Sequence, residues 1–215
     1  MKCKKLLALV MAAVLSVSML TACGGGGSGV SGGGSGVKDT LSTTQVESLV
    51  EAAGSDAVIS HNSTMNNIVR AAAQDLANGS SQRTVRNTIT NKMGWGIVSQ
   101  VQNFISQFLG SLGILTPNVS TGLVQIVQAD QLEASLSSGG VASKLGAYKD
   151  KVAEMRPINT AEKFMATLVL ASDGTLGQAI NGENGLGMTY SVSGYEVEDP
   201  NGVDYWVFAI EITLS

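Results

Sequence analysis

The C-terminal part of the chain changes rhythm. From Tyr205 to Leu214 apolar and polar side chains alternate, with Trp206, Phe208, Ile210, Ile212 and Leu214 on one face. Met188, Tyr190 and Val192 alternate in the same way upstream, and Asp199-Pro200-Asn201-Gly202 has the composition of a turn. Period-two alternation rich in aromatic and β-branched residues specifies strands, and two such runs around a turn specify an antiparallel hairpin. A hairpin alone is marginal in water. The rest of the chain must therefore cover its apolar face or add a strand.

The segments before the hairpin repeat at helical spacing. Thr44 with Glu47 reads as a capping box ahead of Val46, Leu49, Val50 and Ala53, and Gly54 closes that stripe. Residues Ser55 to Ser63 read as a connection. Met65, Ile68, Val69, Ala72 and Leu76 predict a second helix that ends at Asn78-Gly79. A third is expected from Ser81 to Lys92, with Val85, Ile89 and Met93 on one side.

Residues 93–129 carry no charge at all. Within them Ile97, Val98, Val101, Phe104, Ile105, Phe108, Leu109 and Leu112 form a broad apolar face, opposed by serine, glutamine and asparagine. The polar interruptions are too frequent for a membrane span. Two readings stay open: a central buried helix, or a neutral surface for a protein or an apolar ligand. Gly122–Gln128 suits a strand or a helix, and the spacing of Leu123, Ile126 and Val127 favours the helix. Asp130 to Leu136 continues as helix. Val141, Leu145, Tyr148, Val152 and Met155 predict another, stopped at Arg156-Pro157 because a residue before proline avoids the helical region. Asn159 with Glu162 caps the last helix, whose inward face is Phe164, Met165, Leu168 and Val169 and whose end is Asp173-Gly174. The expected fold class is α+β: one globular domain, residues 40–215, mostly helical with a small C-terminal antiparallel β-sheet.

The N-terminus decides where such a domain works. Lys2, Lys4 and Lys5 precede an apolar run from Leu6 to Leu15, and small residues follow before Cys23. That is the make-up of a secretory signal peptide, too short to be a transmembrane anchor. Leu20-Thr21-Ala22-Cys23 resembles the lipobox of bacterial lipoproteins at every position. The resemblance implies cleavage after residue 22, diacylglyceryl and palmitate attachment at Cys23, and a protein held on the extracytoplasmic face of the cell membrane. Sulfur supplies the nucleophile such a thioether needs. Residues 23–39 then comprise the lipidated cysteine and a Gly/Ser tether. From Gly24 to Val37 that tether has an r.m.s. span of roughly 20 Å.

Removing residues 1–22 from the 215 leaves 193, enough for one ordinary domain. The signal takes three lysines and no acid out of 13 basic and 17 acidic residues, so the mature charge is near −7. An acidic chain without a basic cluster is not built to neutralise phosphates, which argues against a nucleic-acid partner. Cys3 leaves with the signal and Cys23 carries lipid, so no disulfide, thiolate nucleophile or cysteine metal ligand remains in the domain. One histidine, His61, cannot make a zinc site alone. No metal and no cofactor are expected.

Candidate chemistry is sparse. His61 is the one general-base candidate, and no serine sits in a Gly-x-Ser-x-Gly setting. Glu196, Glu198, Asp199 and Asp204 flank the hairpin turn, where a solvated turn is favoured over calcium because no EF-hand spacing is present. Gly182–Gly187 is glycine-rich but precedes a strand, whereas a phosphate cradle needs a helix N-terminus. Asn62-Ser63-Thr64 and Asn118-Val119-Ser120 match the glycosylation pattern and are discounted in a bacterial lipoprotein.

Three further stretches carry a second resemblance: Thr160-Ala161-Glu162-Lys163-Phe164-Met165, Gly185-Leu186-Gly187-Met188-Thr189-Tyr190, and Tyr205-Trp206-Val207-Phe208. They resemble the last part of the CAP (cysteine-rich secretory/pathogenesis-related) superfamily, and Ser63 to Asn78 is similar to its early helix. The family's two cleft histidines are missing from Ser172–Gly177, and only Glu162 falls near a family acid. The resemblance implies a divergent member without the metal-binding tetrad. The expected function is non-catalytic binding or scaffolding at the cell surface, toward a cell-surface or cell-wall partner that the sequence does not name. The alternatives are a cell-wall-active or hydrolase-like enzyme of divergent CAP type, using His61 and Glu162, and a carrier of an apolar ligand.

Overall fold

The computed structural model describes residues 36–95, 119–138, 140–180 and 188–214. The signal peptide, Cys23, most of the Gly/Ser tether, Asn118, the apolar face of 97–112 and the Gly182–Gly187 loop lie outside the described residues. The described chain is a mixed α/β domain built on a five-stranded sheet.

Two long strands form its centre: β4 (Met188–Glu198) and β5 (Asp204–Leu214), paired antiparallel from Met188↔Leu214 to Glu198↔Asp204. The turn between them is the expected one. Asp199 accepts the backbone N–H of Asn201 and of Val203, each at 2.9 Å, and Gly202 takes a positive φ. β3 (Val119–Gln128) lies antiparallel to β5 on the other side. On the far edge of β4, β1 (Val37–Thr40) pairs antiparallel near Val197 and β2 (Val58–Ser60) pairs parallel near Tyr190.

Helices cover both faces. On one side α1 (Thr43–Ala52), α4 (Leu132–Ser138), α5 (Lys149–Glu154) and α6 (Ala161–Ile180) enclose Tyr190, Val192, Trp206, Phe208, Ile210 and Ile212. Phe164 of α6 stacks on Phe208 with ring centroids 4.9 Å apart, and Phe208 on Trp206 at 5.3 Å. On the other side α2 (Ser63–Ala77) and α3 (Gln82–Lys92) bring Met65, Val69, Ala72, Ala73, Val85 and Ile89 onto Val124, Ile126, Tyr195, Val197, Val207 and Ala209. Gly194 is required by a close approach: a Cβ there would lie 2.8 Å from Phe208 and 3.1 Å from Leu41.

Several expectations need correction. Gly122–Gln128 is strand, not helix. Val124 and Ile126 face one core and Val127 the other, so the run is apolar on both sides. The sheet is not confined to the C-terminus, because β1, β2 and β3 precede the hairpin. The folded part starts at β1 rather than at Thr40, which puts Val37–Asp39 in the sheet and not in the tether. The connection at 55–63 contains β2. Ser42, not Thr44, caps α1 through a bond to Gln45 N–H. Thr160, not Asn159, caps α6 by accepting Lys163 N–H at 3.3 Å. The helix foreseen over Val141–Met155 is two short 3₁₀ turns, Val141–Lys144 and Gly146–Tyr148, followed by α5. Asp173-Gly174 does not end α6, which runs on to Ile180. Gly174 is there for closeness: a Cβ would come within 2.7 Å of the Leu145 carbonyl oxygen.

Candidate functional site

His61 and Glu162 were the catalytic candidates, and the fold does not join them. His61 is exposed between β2 and α2, its Nδ1 3.4 Å from Asn66 Nδ2. Glu162, in the first turn of α6, accepts the backbone N–H of Ser42 at 3.2 Å. That bond clamps the start of α1 to the start of α6. It is a helix-end interaction, of the kind carboxylates supply to orphan N–H groups.

Three of the acids at the hairpin turn, Glu198, Asp199 and Asp204, already have partners. Lys38 of β1 reaches across to Glu198 at 2.5 Å and to Asp204 at 2.6 Å, and these bonds raise its pKa above the usual lysine value. The Val203 N–H and the Asn201 amides hold Asp199 below the usual carboxylate range. Burial first, then the nearby Asp204 and Asp39 carboxylates, push Glu196 up. An ammonium therefore stands among these acids. Among the described residues no group of three or more His, Cys, Asp or Glu is placed to hold a metal ion.

The polar side chains that do converge were not foreseen. They form a row across the helix α2 face of the sheet, at the end where β2 lies. Ser60 Oγ and Ser191 Oγ are 2.8 Å apart. Glu211 pairs with Ser191 on one side and with Gly122 on the other. Asn62, the N-cap of α2, accepts Met65 N–H at 2.9 Å and donates to Glu211 Oε2 at 2.7 Å. Glu211 thus sets a carboxylate beside the positive end of a fifteen-residue helix. The Trp95 indole lies directly on Gly122, in the space a Cβ would occupy. Two donors on this face, Trp95 Nε1 and Ser193 Oγ, are buried without a hydrogen-bond partner among the described residues.

This row contains hydroxyls, a carboxylate and, just outside it, an imidazole. They are not in a nucleophilic arrangement. The serines bond each other, and His61 Nδ1 faces Asn66. A serine–histidine pair needs the imidazole on the hydroxyl.

A second polar knot ties the opposite layer. Asp173 Oδ2 accepts Tyr148 O–H at 2.5 Å and Ser55 O–H at 2.9 Å, and Oδ1 accepts Tyr190 O–H at 3.4 Å. Burial, with the Asp173 charge behind it, pushes the Tyr190 phenol far above its ordinary value, and Tyr148 moves the same way. Both stay neutral donors at physiological pH. The knot joins the 3₁₀ turn at Tyr148, the loop at Ser55 and strand β4 to α6.

In sequence, Ser191, Ser193 and Glu211 are polar positions of the alternating hairpin strands. Their only signal was alternation, which does not say whether the second face is wet or covered. Tyr148 has the spacing of an apolar stripe residue, and Asp173-Gly174 the composition of a helix stop. No known family model matches the chain, and neither a curated protein nor a solved structure is significantly similar to it.

Proposed function

We propose that this chain is a lipoprotein anchored at Cys23 on the extracytoplasmic face of a bacterial membrane, whose domain binds or scaffolds there without catalysis. The observation that carries the reading is Leu20-Thr21-Ala22-Cys23 in register behind a basic and an apolar segment. Two acyl chains on one diacylglyceryl group suffice for stable anchoring, where a single chain is marginal. The non-catalytic part is supported by the separate duties of His61 and Glu162, each bonded to a local partner. The recognition surface proposed is the row at Ser60, Ser191, Asn62 and Glu211, in which the half-buried Asn62 amide and Glu211 carboxylate keep hydrogen-bonding capacity beyond their mutual bond.

Growth of the host with labelled palmitate tests the anchor. Label should enter the protein, and the purified mature chain should begin at residue 23. Cys23→Ala should lose the label and leave the membrane fraction. Unlabelled wild type, or a mature chain that begins elsewhere, would remove the reading. His61→Ala tests the enzyme alternative, since unchanged behaviour toward cell-wall fragments leaves no role for the imidazole as a base.

A further inference from the structure

At the end of the sheet away from His61, α2 stops short of the hairpin turn and leaves a cavity of about 440 Å³. Leu76 and the Tyr205 side chain line it at the edge of the α2-side core. One wall is the turn from α2 to α3, with Gly79, Ser80 and Gln82; the other is the β4–β5 turn, with Asp199 and Asn201. We propose that this cavity binds a neutral polyhydroxylated ligand, a sugar ring or one unit of a sugar chain.

Charge selects the class. Among the described residues the one ionised group lining the cavity is Asp199, and neither lysine nor arginine joins it. A phosphate or carboxylate ligand would meet an anion and no cation. A divalent cation needs about six or more oxygen ligands, and this carboxylate is already engaged by Asn201 N–H, Val203 N–H and Asn201 Nδ2. What the walls offer is neutral hydrogen bonding: the Ser80 hydroxyl, the Gln82 amide and the Asn201 side-chain carbonyl, while the Ser81 hydroxyl is already engaged by Thr84. A ring with hydroxyls around its rim and C–H groups on its faces matches that lining, with Tyr205 available to its apolar face.

Preorganisation supports the same assignment. Both walls are fixed before any ligand arrives. Gly79 N–H bonds the Leu76 carbonyl at 2.9 Å and Ser80 N–H the Asp75 carbonyl at 2.9 Å. On the facing side Asp199 N–H bonds the Val203 carbonyl at 2.9 Å and Gly202 N–H the Asp199 carbonyl at 3.0 Å. Gly79 and Gly202 hold φ at 94° and 79°, so each turn depends on a residue without a Cβ. Rigid walls reduce the ordering cost of binding a small polar ligand. The inference concerns a different surface from the row at Glu211 and stands whether or not Cys23 is acylated.

The test is an NMR titration of the full mature chain with N-acetylglucosamine, with its linear tetramer, and with inorganic phosphate. We expect saturable shifts of the Gly79, Ser80 and Asn201 amides with sugar and none with phosphate. A tetramer that binds at least about tenfold more tightly than the monosaccharide, or 1.4 kcal/mol, assigns a chain ligand; equal affinities assign a free sugar. Gln82→Ala, an exposed change that leaves the core alone, should weaken binding several-fold, and Tyr205→Leu should abolish it. If Tyr205→Leu does not fold, Gln82→Ala decides. No saturable shift at about 20 mM sugar, a site no tighter than the millimolar end of the affinity scale, would overturn the proposal. So would shifts located elsewhere, phosphate binding at the same amides, or affinity unchanged in Gln82→Ala.

Discussion

The two faces of the sheet are filled by different means. The α6 side is packed with large side chains: Phe164, Met165, Tyr190, Trp206, Phe208, Ile210 and Ile212 are all buried, and three of the rings stack in a row. The α2 side mixes Met65, Val69, Val85 and Ile89 with small residues: Ala72, Ala73, Ala209, Ser191 and Ser193 are buried there, and Trp95 rests on a glycine. Large rings hold a helix away from a sheet and contribute much apolar area. Small residues let a helix come close and contribute little. The α6 face thus carries the larger share of the buried apolar residues, and the α2 face, though Met65, Val69 and Leu76 are buried in it too, leaves room for hydroxyls between its small side chains.

The largest effect should come from a hole on the crowded face. Phe208→Ala removes the middle ring of the stack and should cost about 3–5 kcal/mol, read as a lowered urea midpoint with unchanged slope. A loss below 1 kcal/mol would mean that the rings are not what holds α6 down. The close-packed face should fail in the opposite way, by overfilling. Gly122→Ala pushes a methyl group into the Trp95 ring and should cost about 1–3 kcal/mol, with a shift of the Trp95 indole N–H signal, where Phe208→Ala shifts that of Trp206.

Smaller effects sharpen the contrast at the polar groups. Tyr190→Phe removes one bond to Asp173 and should cost about 1 kcal/mol. Its pH signature is more specific. The Tyr190 phenol is raised in the folded state, so its contribution is complete below the unfolded tyrosine value of about 10 and is lost as pH climbs toward the folded one. Wild type should therefore lose stability above about pH 10, and Tyr190→Phe should flatten that decline in alkaline melts. Smallest of all is Ser193→Ala. Its hydroxyl is buried without a partner among the described residues, so deletion should be neutral or stabilising by up to about 1 kcal/mol. A destabilised protein would show that the hydroxyl is bonded after all.

Much of this architecture could be read before any coordinates. The helices at Ser63–Ala77 and Gln82–Lys92 and the hairpin at Asp199–Gly202 each combine a clear period with an end signal, and those agree with the fold. Illegible segments share one cause: their local pattern was decided by partners distant in sequence. Leu123–Val127 fits two periods, and only β5 alongside makes it a strand. Val37–Thr40 is half charged and short, and is a strand because β4 offers it an edge. Asp173-Gly174 has the look of a stop. In place, the aspartate gathers three hydroxyls and the glycine admits the Leu145 carbonyl. The polar row was missed for the same reason. Ser60, Ser191 and Glu211 are far apart in the chain and meet only once β2, β4 and β5 are aligned.

Lys38 has one further consequence. It sits two residues after Gly36, where the chain enters the domain against Ala77, and a Cβ at that glycine would fall 2.6 Å from the alanine's own. Any mechanical load arriving from the N-terminal side passes through β1 first. Its four residues are fastened to β4 by ladder bonds and by one ammonium gripping two carboxylates. Tension applied at Gly36 would therefore be met first by this short strand and its ion pairs, ahead of the helices and the long central strands.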